Sequence, residues 1–251
     1  MRYHAAIFLL MLGTLQCAGQ VVDAPCVPRF RTDPSYIAVS EASGGQILLL
    51  DRTEIANPAI TRAHSGANHE TILRVSGTLG AGSREFTAPV DSGVQSLQFT
   101  VFAECVKSIT VTAPSGAQAE GTRLSSGRIV ILDAPEHGEW RLKLAGTGYF
   151  TAVAQAKGGV VFPPLRLERP KPGLEQSLVA YLAGPVETAE FRIVARNGAT
   201  LQVIPMTQIG DTEFRGVFTP PAEPFHIAVE GKDKQGLAFR RIHAPLLEAK
   251  Q

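Results

Sequence analysis

The chain has 251 residues, with 24 basic and 23 acidic side chains and a formal charge of +1 at neutral pH. No basic run stands out, so the chain lacks the electrostatic footprint of a protein that tracks phosphate backbones or an anionic membrane. The length fits one large or two ordinary domains.

Residues 1–19 read as a secretory signal: Arg2 in a short n-region, an apolar run from Ala5 to Leu15, and small residues at Cys17, Ala18 and Gly19. Cleavage is expected between Gly19 and Gln20, which makes the mature protein secreted or periplasmic. The apolar run is shorter than the roughly 20 residues a spanning helix needs, and no later stretch is long enough, so no transmembrane span is expected in the mature chain. A lipid-anchored form would be cut before Cys17, where Gln16 is a poor fit. Loss of the leader removes Arg2 and Cys17, leaving 23 basic against 23 acidic residues and two cysteines, Cys26 and Cys105. In an oxidising compartment such a pair reads as one disulfide, the alternative being two buried thiols.

In residues 20–70, Asp33–Glu54 reads as a short helix, a Gly44-Gly45 turn, a buried strand Gln46–Leu50 and a polar exit, while Asn57–His69 has loop composition. From there the rhythm is all-β: alternating apolar runs of five to nine residues broken by Gly, Pro, Asp or Asn. Strands are expected at Arg84–Val90, Gln95–Phe102, Ser108–Ala113, Arg128–Asp133, Glu139–Ala145 and Tyr149–Gln155, with turns at Pro114-Ser115-Gly116, Glu136-His137-Gly138 and Gly146-Thr147-Gly148. After the Gly/Pro stretch Gly158–Pro164 it restarts at Arg166–Arg169, Ser177–Ala183, Ala189–Ala195, Thr200–Pro205, Glu213–Thr219, Phe225–Glu230 and Leu237–His243. Seven short strands at this spacing suit an immunoglobulin-like sandwich. Asn197-Gly198 signals a hairpin and Asp233–Gly236 a turn. The expected architecture is two tandem β-sandwiches, jelly-roll-like over residues 71–158 and immunoglobulin-like over 159–251, preceded by a short α/β piece.

Three stretches carry a resemblance. Tyr36–Leu50 is similar to the last helix, turn and strand of a von Willebrand factor A domain. Phe86–Asp91 through Pro135–Leu142, and Phe218–Phe225 through Glu230–Lys234, are similar to the region C-terminal to that domain in hemicentins and related extracellular proteins. The resemblance covers most of residues 33–243 in order and implies extracellular scaffold or adhesion architecture without catalysis. The metal-binding Asp-x-Ser-x-Ser loop of a complete A-type domain does not match here, so metal-dependent adhesion is not implied. A Cys26–Cys105 bridge would staple the remnant to the first sandwich.

Other chemistry is weak in the sequence. His64, His69 and Glu70 fit no common zinc spacing. Asp133, Glu136 and His137 with Ser125 or Ser126 could be assembled into a triad, but Gly-x-Ser-x-Gly is absent. Glu187 and Glu190 read as a solvated strand edge. No catalytic residue, metal or cofactor is therefore assigned. Trp140 and Leu142 share a face with Leu144 and read as core, with an exposed sugar-stacking Trp140 as the alternative. Phe218, Phe225 and Phe239 read as core of the second sandwich, and Pro220-Pro221 with Pro224 as protection of an edge or corner. The expected function is binding or adhesion toward a protein or glycan, not a nucleic acid. The competing reading is a structural subunit of an envelope assembly, and a hydrolase on a β-sandwich ranks below both.

Overall fold

The structure is a computed structural model, and it describes residues 28, 31–64, 69–80, 82–165 and 170–249. The signal and its cleavage site, Cys26 and the run Arg166–Arg169 lie outside the described residues. The fold is all-β, with several antiparallel sheets and, among the described residues, two short helices. Among the described residues no helix is long and apolar enough to cross a membrane.

Helix α1 spans Pro34–Ser43. Asp33 caps it by accepting the Ser35 amide at 2.8 Å, Pro34 opens it, and Gly44 closes it in the left-handed conformation at φ 73°. Gln46–Leu50, expected as a strand, pairs with no strand. Its leucines 48–50 instead lie over Phe102, Ile129 and Ile60, so the apolar run covers a sheet face without extending a sheet. Within Asn57–His69, expected as loop, Pro58–His64 forms helix α2. Asn57 accepts the Ala59 amide at 3.0 Å, a cap followed by a first-turn proline.

The first sheet contains β1 (Glu70–Leu79), β2 (Ser83–Val90), β3 (Val94–Thr112), β4 (Thr122–Leu124), β5 (Gly127–Asp133) and β6 (Gly138–Gly158), in the order β1-β6-β3-β5-β4 with β2 also on β6. Two pairs of expected strands prove to be single long ones. Gln95–Phe102 and Ser108–Ala113 are halves of β3, and Gly146-Thr147-Gly148 is a bend inside β6, not a turn. The first half of β6 pairs β2, its second half pairs β1, and β3 runs beside it along both. At the bend β3 has bulges between Ala103 and Cys105 and between Val106 and Ser108. Bulges raise local twist and bend a strand, so one sheet supplies both layers of the sandwich. Trp140, Leu142 and Leu144 from one half of β6 share a core with Phe150, Ala152 and Ala154 from the other.

The second unit has a three-stranded sheet, β10-β11-β7, and a four-stranded one, β13-β12-β8-β9. Its strands are β7 (Gln176–Tyr181), β8 (Val186–Ala195), β9 (Thr200–Ile204), β10 (Met206–Gln208), β11 (Glu213–Phe218), β12 (Phe225–Asp233) and β13 (Ala238–Ile242). The order matches two sheets of an immunoglobulin-type sandwich. Their inner faces bury Phe191, Phe214, Phe218, Phe225 and Phe239 in one core. Asn197-Gly198 turns β8 into β9, with Gly198 at φ 88° and the Asn197 side chain accepting the Ala199 amide at 3.0 Å.

Candidate binding site between the two sandwiches

The site is built where the inward alternation of two strands of the second unit ends on charged residues. On β13, Phe239 and Arg241 share the buried face; on β12, Phe225, Ile227 and Val229 are succeeded on the same side by Asp233. Arg241 and Asp91, the residue after β2, are both fully buried and form an ion pair. The guanidinium also donates to the carbonyls of Val160 and, at 2.8 Å, Arg240. A buried charge needs both a counter-ion and hydrogen bonds to offset desolvation, and Arg241 has them.

Further bonds tie the units at the same place. Asp233 accepts the Ser92 amide at 2.8 Å, and the Ser92 hydroxyl donates to Gln235 at 2.9 Å. Arg240 donates to the Thr87 carbonyl at 3.0 Å, and the Phe162 amide to Glu70 at 3.2 Å. Burial works to raise the Asp233 carboxyl, but hydrogen bonds from Ser92, Leu237 and Gln235 hold it below the usual range. Burial pushes Glu70 up. The connection itself is packed: a Cβ on Gly93 would lie 2.6 Å from Gly159 Cα, and one on Gly159 would strike the Asp91 carboxylate. Glycines here serve close approach of two backbones.

Helix α1 fastens the other side of the junction. Arg74 of β1 donates to the carbonyls of Gly44 at 3.1 Å, Ser40 at 3.2 Å and Gly45 at 2.6 Å, capping the helix C-terminus. Buried Glu41 accepts from Ser76 of β1 at 2.9 Å and pairs with Arg196 of the second unit at 3.0 Å. Its carbonyl accepts the Leu246 amide at 2.7 Å.

Between these fastenings lies a cleft of about 420 Å³. One wall is Leu73, Val75, Arg84 and Phe86 of β1 and β2; the other is the outer face of β8, β12 and β13, with Arg192, Val194, Ala228, Glu230 and Arg240, and the Asn197-Gly198 turn at its rim. Its lining carries four arginines, Arg74, Arg84, Arg192 and Arg240, against two glutamates, Glu85 and Glu230. Glu230 takes both Arg240 and, at 3.4 Å, Arg192, which also donates to Glu190 at 2.6 Å. Arg84 lies over the Phe150 ring, 5.7 Å from its centre. His226 Nδ1 faces two acceptors, the carbonyls of His243 at 3.1 Å and Pro245 at 3.2 Å, so that nitrogen carries the proton. Burial first, then the Arg74 charge, lowers the His226 pKa to about 4. At neutral pH His226 is therefore an uncharged hydrogen-bonding group in a lining that carries more arginines than glutamates.

The remaining residues singled out in the sequence are dispersed. Ser125 donates to Glu54 at 2.8 Å, Asp133 pairs with Arg62 at 2.8 Å, and Glu136 accepts from Ser115 at 2.8 Å, so the conceivable triad is not brought together. Among the described residues no three His, Cys, Asp or Glu side chains gather as a metal site. Trp140 is 3% exposed and its indole donates to the Glu136 carbonyl at 2.8 Å, so no face is open for sugar stacking. Leu142, Phe218 and Phe225 are buried, as is Cys105 on β3. Sequence reading missed Arg241, Asp91 and Asp233; the available signal was a charge at an inward position of an alternating strand.

No family model matches the chain. Among curated proteins, Hemicentin-1 of Mus musculus is 25% identical over 137 residues, an alignment covering 47% of this chain and 2% of that protein's length. This is a distant relationship over part of the chain. Among solved structures, the Bacillus licheniformis lipase BlEst2 in its propeptide form overlays with a TM-score of 0.39 and 13% identity, covering 75% of this chain and 45% of that one. A likeness at that level carries no inference about fold or function.

Proposed function

We propose that this chain is an exported, non-catalytic binding or scaffold module that holds a segment of an extracellular protein or glycan in the cleft between its two sandwiches. The observation that carries this reading is the cleft itself, whose walls belong to different units yet are fixed relative to each other by the Asp91–Arg241 pair and the Ser92–Asp233 bond. A preformed cleft spares a ligand the cost of ordering the site. The arginines of its lining, which outnumber the glutamates, favour a ligand that offers hydrogen-bond acceptors. The distant similarity to Hemicentin-1 supports an extracellular setting.

The test is an array of matrix proteins and glycans probed with the intact chain and with Thr200→Arg, which places a large side chain at the exposed rim of the cleft. Binding by the parent that the variant loses supports the reading. Binding that both proteins share places the ligand elsewhere and overturns it.

A further inference from the structure

The cleft uses the outer face of one sheet of the second unit; the outer face of the other sheet, β10-β11-β7, is left to solvent. Alternation decides what stands on it. Leu178 and Ala180 of β7 and Phe214 and Phe218 of β11 enter the core, so Ser177, Val179 and Tyr181 stand outward beside their ladder partners Val217, Arg215 and Glu213. Tyr181 is 49% exposed, Val217 48% and Val179 37%. Pro163, Pro164 and Leu165, which follow the Val161–Ala183 bridge, enclose with Val179, Tyr181, Glu213 and Arg215 a concavity of about 760 Å³.

A sheet face exposed to water ordinarily carries polar residues, whereas exposed apolar side chains with a tyrosine and an arginine have the composition of an interface. The pattern itself indicates what covers it. The row Tyr181–Glu213 lies next to the row Val179–Arg215. Consider two copies packed face to face about a two-fold axis that crosses the strands between these rows. Tyr181 then lies on the partner's Val179, at the concavity, and Glu213 on the partner's Arg215. Apolar meets apolar and each charge meets its opposite, twice over, as an isologous contact requires. An axis along the strands would instead set Tyr181 on the partner's Glu213, and one through the second row would set Arg215 on itself.

The charges on this face are not held tightly within the chain. Arg215 donates through Nε to Glu213 at 2.8 Å, but its side chain is 62% exposed, so the pair contributes little in solvent. A second carboxylate can take other donors of the guanidinium fork.

We propose that the outer face of β7 and β11 joins two copies of this chain into a symmetric dimer through Val179, Tyr181, Glu213 and Arg215. The association does not depend on what the cleft binds. Because the cleft lies on the opposite sheet, both clefts of the dimer stay open. On the binding reading above, the dimer is bivalent and gains avidity on a repetitive matrix.

The test is sedimentation equilibrium of the intact chain from about 1 μM to about 1 mM, alongside Arg215→Glu, the charge swap Glu213→Arg/Arg215→Glu, and Tyr181→Ser. All three positions lie on the outer face, so the core is untouched. We expect the parent to dimerise. Arg215→Glu sets like charges across the axis and should weaken the dimer by about tenfold or more, and Tyr181→Ser should weaken it too. The charge swap should restore it, since the opposite pairs re-form with their places exchanged. A parent that stays monomeric throughout the range would overturn the proposal. So would a dimer that Arg215→Glu leaves unchanged, or one that the swap fails to restore.

Discussion

Asp91 and Arg241, 150 residues apart in sequence, meet in an ion pair from which solvent is fully excluded. Each comes from a different unit, so the junction owes its rigidity to an interaction whose members cannot be removed singly without leaving a buried charge. Asp91→Asn is expected to cost about 3–5 kcal/mol. The double variant Asp91→Asn/Arg241→Met should recover much of that loss, because it removes both charges. Urea unfolding of the three proteins checks the order.

The glycines of the connection give a second expectation. Gly159→Ala meets both a left-handed φ of 75° and the Asp91 carboxylate, whereas Gly236→Ala has a similar φ of 79° with nothing near its Cβ. The Gly236 variant should lose about 1–2 kcal/mol from backbone conformation alone. The Gly159 variant should lose clearly more, measured by thermal unfolding.

Acid should loosen the junction through His226. Its folded pKa of about 4 lies below the unfolded value near 6.5, so the unfolded chain binds the proton first. The stability contributed by neutral His226 is complete above pH 6.5, declines as pH falls and is lost by about pH 4. The shift corresponds to about 3 kcal/mol. His243 is lowered by burial and acts in the same direction, while Glu70, raised by burial, acts in the opposite one. His226→Gln should therefore flatten, without abolishing, the fall in unfolding free energy between pH 7 and pH 4.5.

Cys105, buried on β3 at the bulge, is expected to be bridged to Cys26. Peptide mapping without reductant should recover the two cysteines in one cross-linked peptide. Two alkylatable thiols in the native protein would remove this staple.

Much of the architecture could be read from alternation, because half-buried strands impose a period of two: Glu139–Leu144 and Phe225–Val229 obey it directly. Gly146-Thr147-Gly148 misleads because a bend that lets β6 serve two layers uses the same small residues as a turn. Asn57-Pro58 is a helix-start signature inside a stretch whose composition reads as loop. The cleft was not legible, since its walls are assembled by pairings between distant residues. Arg241 and Asp233 gave a partial signal by standing on the inward side of their strands.

The central claim is that ligand binds between the sandwiches, and hydrogen–deuterium exchange of the intact chain with an array-selected ligand tests it most directly. The account predicts slowed exchange on both walls together, in β2 around Arg84–Thr87 and in the β8–β9 hairpin around Arg192–Thr200. Protection confined to one unit, with these two segments exchanging as in the free protein, would contradict it.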